Sequence, residues 1–346
     1  PPYWKRIENI QESMLCSLVE TDNAEEAVEK FLESRLDMDN DPMVKVALIR
    51  SDQYDTLGIK INHACSDGGG TKEYVHLLAH IYSCLDRDGY YEPNPVVRSR
   101  KDHEKAFRTL GIENPKADKS IVDFHRTVWP FPWKAGGCSK NTPFVICRLP
   151  KGQLDVLSKY GKARGATIND LIVTAFYRAM FKITQPPYGI PMDMGITVDL
   201  RRYLPDGKAE AIRNFSGGIV TRIPRVMGES FEKTLARVVS VMKNKKARNP
   251  GYKNATAAER MEQVNFYQSL AYFKIMSLLS EIQAHFCFYC SPVLSNIGII
   301  SKSPIKFGKN IVTDAYISPP VVRAPGFLLV ASSYNGTLTL AAGYYE

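Results

Sequence analysis

The feature that most constrains this chain is an abrupt change of hydrophobic period within residues 56–85. Residues 56–62 read as an apolar strand, whereas Tyr74, Val75, Leu77, Leu78, Ile81, Tyr82 and Leu85 recur at the spacing of a helix over 68–85. Between the two lies His63-Ala64-Cys65-Ser66-Asp67-Gly68-Gly69-Gly70. Asp67 stands where a side chain can cap the helix N-terminus, and the glycines permit close backbone approach. His63 sits at the strand's end, on a rigid element, and an imidazole titrating near neutrality can accept a proton there. A surface histidine beside an ordinary helix cap accounts for the same spacing.

The rest of the chain alternates helices and strands. A helix is expected over 24–36 and a strand over 43–50. Residues 86–142 are rich in charge, Pro and Gly, with one short helix over 102–110, and read as a crossover. A second lobe is expected to open with a strand over 144–149 and helices at 151–164 and 168–183. Thr167 is the expected N-cap of the latter, with Asp170 in its first turn. Strands are expected at 195–200, 217–223 and 292–300, and helical stretches at 230–246 and 256–286. A hairpin of 327–334 and 337–344 turns about Asn335-Gly336. The expectation is a mixed α/β fold in two lobes, 1–142 and 143–346, with the first lobe incomplete.

At 346 residues, 44% hydrophobic and 23% charged, the chain is long enough for two lobes and ordinary for a globular protein. Its net charge of +9 comes from scattered basic residues, without the aromatic interleaving of a nucleic-acid surface. They read as solvated surface; the functional alternative is a basic entrance for a phosphate-bearing carrier. The seven cysteines are irregularly spaced, and Cys287 and Cys290 form a lone Cys-x-x-Cys without the partners a zinc site needs. Reduced, mostly buried thiols and a cytoplasmic location are expected. No apolar stretch is long enough to cross a membrane. The sequence begins Pro1-Pro2-Tyr3-Trp4, without an initiator Met, so further residues are expected ahead of it.

Asn62-His63-Ala64-Cys65-Ser66-Asp67-Gly68 resembles the His-His-x-x-x-Asp-Gly signature of condensation domains. It also resembles the shorter His-x-x-x-Asp of chloramphenicol acetyltransferases, plant-type acyltransferases and polyketide-associated acyltransferases. Three later segments follow in the order of that superfamily. These are residues 166–175, then Val198-Asp199-Leu200-Arg201 with Asn214-Phe215-Ser216-Gly217-Gly218, and last Ser295-Asn296-Ile297-Gly298. The resemblance implies two α/β lobes, each a mixed sheet flanked by helices, with a channel between them. It implies that His63 is the general base for an acceptor hydroxyl or amine attacking an acyl thioester. Asp67 would support the loop through an ion pair, with Arg201 the best match for its partner. The donor would be acyl-coenzyme A or an acyl carrier protein, with no metal and no other cofactor. Asn62 replaces the first histidine, which tilts the reading from peptide-forming condensation domains toward free-standing O- or N-acyltransferases. An opening strand and helix of the family have no evident counterpart upstream.

Other readings of these residues are weaker. Cys65 and Ser66 lie too close to His63 in sequence for a nucleophile–base pair, and Ser66 lacks a Gly-x-Ser-x-Gly setting. Asp67-Gly68-Gly69-Gly70 lacks the lysine of a phosphate loop. His76 and His80 read as solvated, and Trp129, Phe131 and Trp133 as lobe packing. Asn296, Ser295, Asn214 and Ser216 are candidates to bind substrate or stabilise an oxyanion; satisfying local backbone is the alternative for each. A binding module that keeps this scaffold without turnover is the reading from another class.

Overall fold

The computed structural model describes residues 11, 15–37, 40–93, 101–114, 129–132, 142–253, 256, 291–322 and 326–345. In the N-terminal part, β1 (Cys16–Glu20) runs parallel to β2 (Val44–Arg50), and β3 (Asp55–Ile61) returns antiparallel, giving the order β1-β2-β3. Helix α1 (Ala24–Glu33) connects β1 to β2 and buries Ala24 against Ala47 and Ile49, with Phe31 alongside. The chain was expected to lack an opening strand; β1 is one. All five of its residues are exposed at the sheet edge, so no alternation of buried and exposed positions marks it in the sequence. Helix α1 stops three residues before its expected end, at the Ser34 cap.

Helix α2 (Gly68–Asp88) follows the loop and ends at Gly89, whose φ of 67° is the left-handed conformation of a C-cap. Its Ala79 packs with Ile300, Ile305 and Tyr334. The short ribbon of β8 (Lys306–Phe307) and β9 (Asn310–Ile311) lies against the same helix, with Gly308 N donating to Ser83 Oγ at 3.0 Å. So α2, which opens at the candidate loop, rests on C-terminal elements. Helix α3 (Lys101–Thr109) matches the short helix expected in the crossover.

The second sheet has six strands: β4 (Phe144–Arg148), β5 (Pro191–Asp199), β6 (Ser216–Pro224), β7 (Val293–Ile299), β10 (Leu328–Tyr334) and β11 (Thr337–Gly343), in the order β4-β11-β10-β7-β5-β6. The β5–β7 and β7–β10 pairs are parallel and the others antiparallel. Strand β5 begins four residues before its expected start, because Met192 and Met194 continue its alternation into the core. Between β10 and β11, Asn335 and Gly336 both take positive φ, 47° and 78°, as a two-residue hairpin turn requires.

Helix α4 (Gln153–Lys162), α5 (Ile168–Thr184) and α6 (Phe231–Lys246) flank this sheet. At the start of α5, Thr167 and Asp170 form a reciprocal capping box, as their spacing implies. Trp129 is 2% exposed, stacks on Phe181 and donates from Nε1 to Asp193 O, so this aromatic is core packing. The cysteines are a correction: Cys16 and Cys147, on edge strands, are exposed, and Cys65 and Cys84 are half-buried. Cys138, Cys287, Cys290, Trp133 and almost all of 256–286 lie outside the described residues. Among the described residues no helix is long and apolar enough to cross a membrane.

Tyr177, fully buried in α5, shows how polar atoms are handled in this core. Its hydroxyl contacts Thr221 Oγ1 at 2.9 Å and donates toward Thr221 O and Met192 O across the sheet. Burial holds the phenol protonated. Tyr177→Phe is expected to cost about 1–3 kcal/mol, because it strands buried acceptors; urea denaturation at unchanged slope measures it.

Candidate active site

Strand β3 delivers the chain to Asn62, whose N–H donates to Met43 O at 2.8 Å and which is itself buried. Asn62 then shapes the turn: its Oδ1 accepts from Ala64 N at 2.9 Å and its carbonyl from Cys65 N at 3.0 Å. That turn leaves His63 exposed. Asn214 reaches it from just ahead of β6. Its Nδ2 donates to His63 O at 3.0 Å and lies 3.2 Å from His63 Nδ1, while Ser216 Oγ donates to Asn214 Oδ1 at 3.0 Å. His63 thus sits where the end of the first sheet meets the second.

Asp67 is 5% exposed and caps α2, its Oδ1 accepting from Gly70 N at 2.7 Å. Its carboxylate also lies at the positive end of the helix dipole. Arg201 Nη1 donates to both carboxylate oxygens at 3.0 Å, and Phe215 N donates to Oδ2 at 2.7 Å. The glycines are there for space. A Cβ on Gly69 would lie 2.6 Å from Arg201 Nη1, one on Gly70 2.8 Å from Arg213 O, and one on Gly68 2.7 Å from Ile297 Cδ1. A larger residue at Gly69 would push the guanidinium off Asp67.

Arg201 stands in the 3-10 turn Leu200–Tyr203 at the end of β5, with Asp199 Oδ1 capping that turn through Arg201 N. Besides Asp67, it donates from Nε to Glu73 Oε1 at 3.0 Å, from Nη1 to Asp199 Oδ1 at 3.2 Å and from Nη2 to Arg213 O at 2.9 Å. Burial opposes its charge, but the hydrogen bonds to Asp67 and the carboxylates of Asp67, Asp199 and Glu73 outweigh it and hold Arg201 above its ordinary pKa. Glu73 goes the other way. Burial raises its pKa and Arg201, shared among three carboxylates, only partly offsets that. Lys72 is pushed down by burial, and its Nζ donates to Ile297 O at 3.0 Å and Ile299 O at 3.3 Å, tying α2 to β7.

The structure therefore gathers His63, Asp67, Arg201, Asn214 and Ser216 into one connected network. Ser295 and Asn296 have their hydrogen bonds elsewhere. Ser295 Oγ accepts from Thr197 Oγ1 at 3.0 Å; Asn296 Nδ2 donates to Asn169 Oδ1 at 3.1 Å while its Oδ1 accepts from Gly298 N at 3.0 Å. Glu73, Asp199 and Lys72 were not anticipated, and for Asp199 the only cue was its place two residues before Arg201. Cys65 Sγ donates to Asn62 O at 2.9 Å and burial raises its pKa, so it is held as a thiol rather than a thiolate. His76 and His80 are exposed, and no cluster among the described residues has the makings of a metal site. Clefts of about 400 Å³ between β1 and α1 and about 570 Å³ beside Tyr188 and Arg225 are not lined by His63.

The two acidic partners of Arg201 on and before α2 should respond differently to neutralisation. Asp67→Asn turns an amide NH2 toward the N–H of Gly70 or Phe215 and leaves a buried guanidinium undercompensated, at a cost of about 3–5 kcal/mol. Glu73→Gln keeps an oxygen for Arg201 Nε and removes a half-buried charge, so its cost is about 1 kcal/mol or less. Chemical denaturation of the two variants in parallel measures the contrast.

No family model matches the sequence, and no curated protein matches it. Solved structures do. The first condensation domain of the CDA synthetase matches with a TM-score of 0.58 at 14% identity, over 95% of this chain and 70% of that one. Polyketide synthase associated protein 5 from Mycobacterium tuberculosis matches at 0.59 and 15% identity, over 96% and 75%. The epimerization domain from the third module of tyrocidine synthetase B matches at 0.57 and 14%, again over 96% and 75%. With these likenesses running along nearly all its length, the chain has the two-lobed α/β fold of condensation domains, the fold that its His63 and Arg201 segments resemble.

Proposed function

We propose that this chain is a condensation-domain-like acyltransferase, joining the acyl group of a thioester to an acceptor hydroxyl or amine. The observation that carries the reading is the placement of His63. It is exposed at the seam of the two lobes, on a turn braced from one side by Asp67 and Arg201 and gripped from the other by Asn214. An imidazole placed in this way meets the positional need of general acid–base catalysis, once its outward nitrogen carries the lone pair. The acceptor's proton passes to His63 as its oxygen or nitrogen bonds to the thioester carbon. The tetrahedral adduct then collapses, the C–S bond breaks, and the leaving thiolate takes the proton back. No covalent enzyme intermediate is involved. Donor and acceptor would reach His63 through a channel between lobes that divide near residue 142.

A second reading, a condensation domain of a peptide-synthesising assembly line working on carrier-bound substrates, is favoured by the solved structures of that kind. The loss of the first motif histidine does not count against it strongly. Asn62 is buried and its Oδ1 and carbonyl serve the turn, which favours a part in holding the loop over one in the reaction. The epimerization domain among the similar structures is a reminder that this fold serves more than one reaction, and the site must decide between them.

The test is a panel of acyl-coenzyme A and carrier-bound acyl thioesters with amine and alcohol acceptors, followed by free-thiol release and by mass of the product. Acceptor-dependent product is expected. His63→Ala is expected to lower turnover by about a hundredfold or more while leaving the circular dichroism spectrum unchanged. A folded His63→Ala variant that turns over normally would end the proposal.

A further inference from the structure

The contacts of Asn214 specify more than the position of His63; they specify where its proton sits. An amide can be built either way round, and here a neighbour decides. The backbone carbonyl of His63 can only accept, so the Asn214 atom 3.0 Å from it must be the NH2 group. Ser216 Oγ, 3.0 Å from the other end, agrees by supplying a hydroxyl hydrogen to Oδ1. The same NH2 group then faces His63 Nδ1 at 3.2 Å. A neutral imidazole has one N–H and one lone pair, and two N–H groups cannot point at each other. Nδ1 must therefore accept, which puts the ring proton on Nε2.

Asn214 is itself rigidly placed. Its two chain neighbours are tied to the ion pair: Arg213 O accepts from Arg201 Nη2 at 2.9 Å, and Phe215 N donates to Asp67 Oδ2 at 2.7 Å. The tripeptide is held at both ends while its central side chain grips the histidine.

We propose that Asn214 is a positioning residue that locks resting His63 as the Nε2–H tautomer, so that the ring edge left free by Asn214 is a hydrogen-bond donor. In this state His63 suits a carbonyl or developing oxyanion, and it is not yet a base at Nε2. The base-competent ring carries its proton on Nδ1 and forms when the Asn214 amide turns over and offers Oδ1 in place of NH2. That turn gives up the bonds to His63 O and from Ser216. The assignment of a proton to a ring atom stands on the hydrogen bonds alone; its consequence for turnover rests on the acyl-transfer reading above.

Two variants separate the possibilities. In Asn214→Asp the carboxylate can only accept, so it holds Nδ1–H and leaves the Nε2 lone pair free. In Asn214→Leu there is neither donor nor acceptor. Long-range ¹H–¹⁵N correlation spectra of histidine-labelled protein at alkaline pH, with the His63 signals assigned by their loss in His63→Ala, read the tautomer directly. Nε2–H in the wild type and Nδ1–H in Asn214→Asp are expected. Nδ1–H in the wild type, or an unchanged Nε2–H in Asn214→Asp, would overturn the proposal, and neither result depends on any activity. With a turned-over thioester in hand, Asn214→Asp, which holds the base-competent ring, is expected to exceed Asn214→Leu in kcat by about tenfold or more, with little change in KM. Equal kcat in the two variants would also overturn it, whereas absence of turnover in the wild type would count against the acyl-transfer reading only.

Discussion

One guanidinium holds the candidate site together. Arg201 is 4% exposed and touches three carboxylates and a backbone carbonyl, drawn from the loop before α2, from α2 itself, from the end of β5 and from the segment leading to β6. Burying such a cluster is expensive, and its Coulombic gain seldom adds much stability. What it supplies is uniqueness. A planar fork with fixed donor directions accepts this arrangement of partners and few others. The glycines Gly69 and Gly70 belong to the same constraint, since their missing side chains leave the volume that the guanidinium and the Arg213 carbonyl occupy.

From that constraint follows the electrostatic character of the seam. Arg201 and Lys72 direct their donors inward, to carboxylates and to the carbonyls of β7. They join parts of the protein rather than offering charge to a ligand. The chain's excess of basic residues therefore has to act elsewhere if it acts on an anionic carrier at all. Facing outward at the seam are an imidazole, an amide and a hydroxyl, those of His63, Asn214 and Ser216, with the half-exposed Asp199 carboxylate on Arg201. Hydrogen-bonding groups beside a carboxylate offer little to a phosphate.

Much of this was legible in the sequence wherever a signal is local. The change of period around His63, the cap at Asp67, the Thr167–Asp170 box and the Asn335-Gly336 turn each need only a few consecutive residues, and each is where its spacing placed it. The Arg201 partnership came from the resemblance of a whole segment. What stayed hidden depends on chain crossings. Glu73 meets Arg201 across 128 residues, and Asn214 meets His63 across 151. No periodicity encodes such meetings. Strand β1 was missed for a different reason: sequence patterns report burial, and a wholly exposed edge strand has none to report. Asn296 was the favoured substrate-binding candidate; its amide meets Asn169 and Gly298, and the pleat of β7 sets it on the opposite face from Ser295, which meets Thr197.

The two results, the buried fork and the gripped histidine, are one device. His63 belongs to the chain that ends β3, and Asn214 to the chain that leads into β6, so the hydrogen bond between them crosses the seam. The Arg201–Asp67 contacts, at 3.0 Å to two oxygens, and the contact of Asn214 with Nδ1, at 3.2 Å, act on the same turn, one from its buried side and one from its exposed side. In physical terms the ion pair fixes where the imidazole is, and the weaker bond beside it sets what the imidazole can do.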